Sequence, residues 1–215
     1  MMNKVVFVFF FFLALVQVYG QSGFQKEVDA IVKRNDSLWD SSKETVVFAG
    51  SSSIRFWKDV QERFPDYQIL NAGFGGSQTS DLLYYLDKLV LRYKPIKIFI
   101  YEGDNDISAK KRPQQIIKTT ERVLNEIKSV LPSAEIVLIS AKPSISRWKF
   151  KGKYKRLNKR FSKIAAISEM VFYANVWDIM LNGKKVRQDI FVEDGLHMNK
   201  IGYNLWYQQI KPFLP

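Results

Sequence analysis

Short apolar runs alternate with longer segments of helical spacing along this sequence, and this alternation constrains the fold more than any other feature. The apolar runs are rich in β-branched residues and are bounded by Gly, Pro or polar residues, which is typical of buried strands. They cover residues 45–50, 67–73, 95–103, 134–140 and 170–178. Strands that are apolar at nearly every position indicate a parallel sheet with both faces covered.

Segments with apolar residues at helical spacing separate these strands. They cover residues 24–38, 79–93, 113–131, 152–169 and 199–213. Pro113 opens the third segment and Pro132 stops it, while Thr79 or Ser80 is available to cap the second. The pattern predicts a three-layer α/β/α sandwich on a parallel five-stranded sheet, flavodoxin-like in general form.

The first twenty residues have the pattern of a secretory signal peptide. A basic start at Lys4 precedes an apolar run, and small residues lead up to Gly20. The apolar run is shorter than the about 20 residues that span a membrane, although an uncleaved N-terminal anchor is the alternative. We therefore expect a signal peptide over residues 1–20, a single domain over 21–215, and export to the periplasm or the extracellular space after cleavage near Gly20.

The chain contains no Cys and a single His, His197. A zinc site of Cys and His ligands is thereby excluded, and we expect no metal or other cofactor. His197 follows Asp194 by three residues in a polar segment that contains Gly. A carboxylate at this separation can accept from the ring Nδ1–H and leave Nε2 as a general base. A purely structural histidine is the alternative.

Polar groups also follow the first, second and third predicted strands, at the sheet edge where ligands bind in parallel α/β folds. Three serines, Ser51, Ser52 and Ser53, follow the first strand, and a serine beside a histidine base can act as a nucleophile. The Gly-rich loop "GFGGSQ" and Asn105 follow the second and third strands and could donate to an oxyanion. Dinucleotide binding is disfavoured, because G-x-G-x-x-G would require Gly where the chain has Gln78.

In order and placement, these residues resemble the four blocks of the SGNH hydrolases, also called the GDSL esterase/lipase family. The matches are Gly50-Ser51-Ser52 for G-D-S, "NAGFGG" ending at Gly76 for the glycine block, "GDND" with Asn105 for G-x-N-D, and "DGLH" with Asp194 and His197 for D-x-x-H. The match covers nearly the whole chain after residue 20.

The resemblance implies an SGNH hydrolase fold and metal-independent hydrolysis of an ester or thioester. It assigns Ser52 as nucleophile, His197 as base and then acid, and Asp194 as the group that orients His197. It assigns the oxyanion donors to the backbone N–H groups of Ser52 and Gly76 and to the side chain of Asn105.

The sequence departs from the family pattern at Ser51, where the usual residue is Asp. Ser51 and Ser53 are alternative nucleophiles, but counting from the strand-ending Gly50 favours Ser52 and leaves Ser53 for a helix cap. Asp104, within the Asn105 block, is expected to brace a loop.

The formal net charge of +12 is concentrated in one region of the chain. Ten Lys or Arg lie from Lys142 to Lys163, and no acidic residue lies between Glu135 and Glu169. Such a segment predicts an anionic partner, either a membrane surface or an acidic polymer, and a solvated helix face is the alternative. Zinc-finger spacing and aromatic RNA-binding signatures are missing, so nucleic acid is not an expected partner.

These features together predict an exported serine esterase that acts on a carboxylic ester, such as an O-acetyl group on a glycan. Lipid acyl hydrolysis of the lysophospholipase or thioesterase type is one alternative. A non-catalytic binder of anionic polymer or membrane is another, but such a binder has no need of an oxyanion hole. Candidates for lining the site are the aromatic residues Phe74, Tyr84, Tyr85 and Trp148.

Overall fold

A computed structural model describes residues 23–214, so the expected signal peptide lies outside the described part of the chain. The main sheet contains the strands β1 (Thr45–Gly50), β2 (Gln68–Gly73), β3 (Lys97–Tyr101), β4 (Glu135–Ile139) and β5 (Val171–Ala174). All neighbours pair in parallel, in the order β2-β1-β3-β4-β5. This is the flavodoxin-like order, and it confirms the predicted sheet.

Helices cover both faces of the sheet. On one face lie α1 (Gln25–Leu38), α4 (Thr79–Tyr84), α5 (Leu86–Leu89), α6 (Asp104–Ser108), α7 (Pro113–Val130) and α8 (Lys151–Ala166). On the other face lie α2 (Ser52–Arg55), α3 (Val60–Arg63) and α9 (Lys200–Ile210). Short 3-10 turns occur at Leu91–Tyr93, Trp148–Phe150, Asp178–Met180 and Lys211–Phe213.

Two hydrophobic cores explain why the strands are apolar at successive positions. In β1, Val47 and Ala49 face one core, and Val46 and Phe48 face the other. Phe48 stacks on Phe99 of the neighbouring strand with ring centroids 4.4 Å apart. Because side chains of a strand alternate between faces, burying every position of β1 requires a helical layer on each side. No helix within residues 23–214 is long and apolar enough to cross a membrane.

The structure corrects two details of the predicted elements. The helix expected over residues 79–93 breaks at Tyr85, where the chain leaves helical geometry before α5 begins. Neither Thr79 nor Ser80 caps α4, which begins after Gln78. The Thr79 hydroxyl instead donates to Asp106 Oδ2 at 3.1 Å, so it is not available as a cap. A short antiparallel pair, β6 (Leu181–Asn182) and β7 (Lys185–Val186), was not predicted.

Candidate active site

Ser52, His197 and Asp194 form one hydrogen-bonded chain at the carboxyl edge of the sheet. Ser52 Oγ lies 3.0 Å from His197 Nε2. On the other side of the ring, His197 Nδ1 lies 2.5 Å from Asp194 Oδ2. A carboxylate can only accept, so Nδ1 carries the proton and Nε2 is the acceptor for the Ser52 hydroxyl.

The segment that carries Asp194 and His197 is a tight turn. Asp194 Oδ1 accepts from the backbone N–H groups of Leu196, at 2.8 Å, and of His197, at 2.9 Å. Gly195 has a φ of +62°, and a Cβ built on it would lie 3.0 Å from the Ile145 side chain. The turn therefore requires Gly at this position, and it holds the carboxylate against the histidine ring.

The charge state of Asp194 follows from these contacts. Partial burial acts to raise its pKa, but the N–H donors of His197 and Leu196 and the His197 ring outweigh burial and lower the pKa to about 2. Asp194 is therefore ionised throughout the neutral range, as an acceptor for the Nδ1 proton must be.

The turn from β1 into α2 places Ser52 at the start of a helix. Gly50 has a φ of +140°, and a Cβ built on it would lie 2.1 Å from the Tyr101 carbonyl oxygen, which only Gly avoids. The Ser51 N–H donates to that same carbonyl at 3.2 Å. Ser52 then becomes the first residue of α2, a position whose N–H has no acceptor within the helix.

The three serines have different environments. Ser51 is buried and precedes α2 as its N-cap residue. Ser53 is also buried, and its carbonyl accepts from the Tyr203 hydroxyl at 2.9 Å. The expectation that Ser53 caps a helix is wrong, because Ser53 is the second residue of α2. Of the three, within the described residues, Ser52 is the one that contacts His197.

The other two expected oxyanion donors also lie just beyond strand ends. Gly76, after β2, has a φ of +78°, and a Cβ built on it would meet no heavy atom within 4 Å, so the space beside it is open. Asn105, after β3, donates from Nδ2 to the Ser77 carbonyl at 2.8 Å and has a second Nδ2 hydrogen to offer.

Arg147 contacts this site and was not singled out by sequence reasoning. Its Nη1 donates to Asn105 Oδ1 at 3.0 Å and to Asp104 Oδ1 at 2.7 Å. A guanidinium can only donate, so it fixes the Asn105 amide with its oxygen toward Arg147 and its Nδ2 toward Ser77. Arg147 lies 42 residues from Asn105 in the chain, and no local motif connects them.

Asp104 is the centre of a buried polar group that we call the Asp104 cluster, formed with Tyr101, Lys142, Arg147 and Tyr154. Asp104 accepts from Tyr154 Oη at 2.5 Å and from Tyr101 Oη at 3.2 Å, and Lys142 Nζ lies 3.8 Å away. Burial acts to raise the pKa of Asp104, but the charges of Lys142 and Arg147 and the hydrogen bonds hold it below its usual value.

The Asp104 cluster links the segments that carry Asn105 and His197. Lys142 Nζ, which is fully buried, donates to the Leu196 carbonyl at 2.7 Å, next to His197. Lys142 and Arg147 were counted in the basic segment, and the structure shows that both belong to this interior cluster. The solvent-exposed charge of that segment therefore begins beyond Arg147.

Aromatic side chains near the site differ from the expected set. Phe56, which was not singled out, meets the His197 ring edge-on at 5.0 Å between centroids and is 38% exposed. Phe74 and Tyr85 are core residues that pack against each other. Tyr84 is exposed and packs on Tyr85. Phe56 lies one helical turn after Ser52, a spacing from which its proximity could have been inferred.

No group of three or more His, Cys, Asp or Glu that could hold a metal ion is found within residues 23–214.

The GDSL-like Lipase/Acylhydrolase family model matches residues 36–205. A search of curated proteins found no match.

Three similar solved structures were each aligned with most of this chain. A Streptococcus pneumoniae protein, provisionally described as a platelet activating factor, is 24% identical with a TM-score of 0.77, over 94% of this chain and 99% of its own. A GDSL-like lipase from Bacteroides thetaiotaomicron is 19% identical with a TM-score of 0.74, over 87% of this chain and 96% of its own. A carbohydrate esterase family 3 protein from Talaromyces cellulolyticus is 18% identical with a TM-score of 0.66, over 80% of this chain and 96% of its own.

At these identities the structural matches establish the fold. The family model spans most of the sequence, from within α1 to within α9, and includes all the site residues described above. The chain therefore belongs to the GDSL-like lipase/acylhydrolase family.

Proposed function

We propose that this protein is a metal-independent serine esterase in which Ser52 attacks a carboxylic ester. The observation that carries the proposal is the continuous contact from Ser52 Oγ to His197 Nε2, at 3.0 Å, and from His197 Nδ1 to Asp194, at 2.5 Å. A free hydroxyl is a weak nucleophile, and an adjacent base oriented by a carboxylate activates it.

The geometry supports a two-step mechanism. As Ser52 Oγ bonds to the substrate carbonyl carbon, His197 Nε2 accepts the hydroxyl proton and the carbonyl electron pair moves onto oxygen. The His197 imidazolium then gives that proton to the leaving alcohol oxygen as the C–O bond breaks, which leaves an acyl ester on Ser52. In the second step, His197 Nε2 takes a proton from water as the water oxygen bonds to the acyl carbon. The imidazolium then returns that proton to Ser52 Oγ as the acyl–Oγ bond breaks and the acid leaves, and Asp194 stays ionised throughout.

The developing oxyanion needs donors placed in advance. We assign the backbone N–H groups of Ser52 and Gly76 and the Nδ2 of Asn105 to this task, with Arg147 as a positioning residue that acts through Asn105. In known oxyanion holes, the loss of one donor reduces kcat by about 10²–10³.

For the substrate, we propose a short acyl ester, such as an O-acetyl group on a glycan. The Talaromyces cellulolyticus protein of the same fold is a carbohydrate esterase, which supports this class of substrate. No heavy atom lies within 4 Å of a Cβ built on Gly76, and we propose that the alcohol portion of the substrate lies on this open side of the oxyanion donors.

Lipid ester hydrolysis is the second candidate, and a specific observation favours it. Three exposed apolar side chains surround the His197 turn: Phe56, Ile145 and Val192, at 38%, 43% and 46% exposure. Phe56 contacts His197, Ile145 packs beside Gly195, and Val192 belongs to the turn itself. Apolar side chains at the rim of a site can receive an acyl chain.

A substrate panel with a matched serine variant tests both candidates. The panel contains acetylated xylan and p-nitrophenyl esters of acetate, butyrate, octanoate and palmitate. We expect acetate esters to have the highest kcat/KM and Ser52→Ala to abolish their hydrolysis, while the exposed-site control Ser42→Ala keeps the wild-type rate. A maximum at octanoate or longer would select the lipid candidate, and full activity of a folded Ser52→Ala protein would refute the mechanism.

We also propose that the protein is exported to the periplasm or the extracellular space, on the pattern of residues 1–20. Expression of the full chain in a secreting host should yield a product that starts at Gln21, as read by N-terminal sequencing. A product that keeps Lys4 would refute cleavage near Gly20.

A further inference from the structure

The exposed side of α8 is a continuous cationic surface. We call this surface the α8 cationic face. It consists of Lys151, Lys155, Arg156, Lys159, Arg160 and Lys163, all of them exposed. Within the described residues, none of the six forms an ion pair. The sequence has no acid between Glu135 and Glu169 that could neutralise them.

The spacing of these cations works against the stability of the helix. Lys151, Lys155, Lys159 and Lys163 follow one another at intervals of four residues, and so do Arg156 and Arg160. Like charges at this spacing are neighbours on a helix and destabilise it. An anion bound along the rows would remove the repulsion, so the arrangement favours binding over helix stability.

The opposite side of α8 is already occupied by the protein core. Tyr154, Leu157 and Phe161 are buried there against the sheet. A helix that lies in a membrane surface needs a free apolar face to insert among the lipids. Since α8 has none to offer, charge is the main source of binding on this face, and its linear rows fit an extended polyanion better than a bilayer.

The α8 cationic face starts beside the candidate active site. Tyr154, in the first turn of α8, donates to Asp104 at 2.5 Å, and Asp104 is adjacent to Asn105. Arg147, which contacts Asn105, precedes α8 by a single 3-10 turn. From there the helix runs for 16 residues, which is about 24 Å at the usual rise per residue.

A shallow depression where α8 meets α7 extends this positive surface. Arg112, Lys118 and Arg160 line it, together with a single acid, Glu121.

We propose that the α8 cationic face binds a carboxylated polysaccharide and thereby holds an ester-bearing polymer of this class at Ser52. The presentation of the polymer to Ser52 rests on the proposed esterase function. Binding of the polymer to the α8 cationic face is independent of that function. Carboxylate groups repeated along a polymer match cations repeated along a helix, and every carboxylate bound displaces counterions, so binding weakens as salt increases.

Binding is measured on Ser52→Ala protein, so that the probe is not consumed. The probes are polygalacturonate, neutral dextran and vesicles of phosphatidylserine in phosphatidylcholine. The test variant carries Lys155→Gln, Lys159→Gln and Lys163→Gln. The matched control removes the same charge at exposed lysines elsewhere, with Lys26→Gln, Lys33→Gln and Lys88→Gln.

We expect polygalacturonate to bind in preference to dextran and vesicles, with an affinity that falls at least tenfold in the test variant and less than twofold in the control. Equal losses in the two variants, tighter binding to vesicles, or no binding of polygalacturonate would each overturn the proposal. The thermal unfolding midpoint of the test variant should equal or exceed that of the parent. A clear decrease would mean that these lysines serve the fold, and would also overturn it.

Activity then separates this inference from the esterase proposal. In protein that keeps Ser52, the three α8 substitutions should leave hydrolysis of p-nitrophenyl acetate unchanged. They should raise the KM for acetylated polygalacturonate at least tenfold. Inactivity toward both esters, with polymer binding intact, would refute the esterase and leave the binding half standing. An unchanged KM for the polymer would overturn the role of α8 in presenting it to Ser52.

Discussion

Replacing Arg147 with Met removes the guanidinium that donates to both Asn105 and Asp104, at 3.0 Å and 2.7 Å. The Asn105 amide then loses the contact that fixes its orientation. Loss of a whole oxyanion donor costs about 10²–10³ in kcat, and a donor that is present but poorly oriented should cost part of this, about 10–10²-fold. Because the contact acts in the transition state, kcat and kcat/KM should fall together.

The variant should remain folded, since Asp104 keeps its other partners. Tyr154, Tyr101 and Lys142 still contact the carboxylate. Deleting one partner of a buried ion pair costs about 3–5 kcal/mol when it leaves the charge uncompensated. With the remaining partners in place, the loss should be closer to that of one charged hydrogen bond, about 2 kcal/mol. Urea unfolding monitored by circular dichroism measures this value.

A double-mutant cycle tests whether Arg147 acts through Asn105. Steady-state hydrolysis of p-nitrophenyl acetate is measured for Arg147→Met, Asn105→Ala and the double variant. If Arg147 positions Asn105, the double variant should have the kcat of Asn105→Ala alone, because there is no amide left to orient. Two losses that multiply would refute the positioning role, and Arg147→Lys should recover part of the rate of the single variant.

Substitutions at Asp194, Glu102 and Gly50, the last with Gly183 as its control, test separate parts of the site and the fold. Asp194→Asn should reduce kcat by about 10⁴ through the wrong His197 tautomer, measured on p-nitrophenyl acetate, and a loss below tenfold would contradict the orienting role. It should also flatten the acid dependence of stability between about pH 4 and 2, since the pKa of Asp194 is lowered from 3.8 to about 2 and the stabilisation is lost as pH falls through that value. Burial raises the pKa of Glu102 well above its usual value, so the ionisation of Glu102 costs stability as pH rises. Glu102→Gln should therefore raise the unfolding midpoint at pH 7 but not at pH 4, and a lower midpoint at pH 7 would contradict this. Gly50→Ala should prevent folding, because its Cβ would lie 2.1 Å from the Tyr101 carbonyl oxygen. At the control position Gly183 a Cβ meets nothing within 4 Å, so Gly183→Ala should cost only about 1–2 kcal/mol of backbone strain. Equal unfolding midpoints in the two variants would contradict the close approach at Gly50.

The sheet was predictable because strand formation and burial are visible in local sequence. A run such as residues 45–50, apolar at nearly every position, has to be covered on both faces, and that requirement leads to parallel strands between helical layers. The break at Tyr85 was not predictable in this way. The backbone leaves helical geometry at Tyr85, between α4 and α5. The helical spacing of apolar residues continues through this break, so the sequence pattern gives no sign of it.

The site was predictable to the extent that its groups occupy short blocks at strand ends. Ser52, Asn105 and Asp194 each follow a strand or loop that could be located from sequence alone. The groups that support them come from distant segments, as with Lys142 and Leu196, which are 54 residues apart. A run of ten cations also gives no indication that the Lys142 side chain is buried, because its partner Asp104 begins helix α6, in a distant part of the sequence.

Covalent labelling tests whether Ser52 is the activated nucleophile. The protein is treated with a fluorophosphonate, which traps an activated serine, and the modified peptide is identified by mass spectrometry. We expect a single adduct on Ser52, formed by the wild-type protein and by Ser42→Ala, and formed much more slowly by Asp194→Asn. Hydrolysis of p-nitrophenyl acetate that continues with Ser52 unlabelled, or an adduct on Ser51 or Ser53, would contradict it.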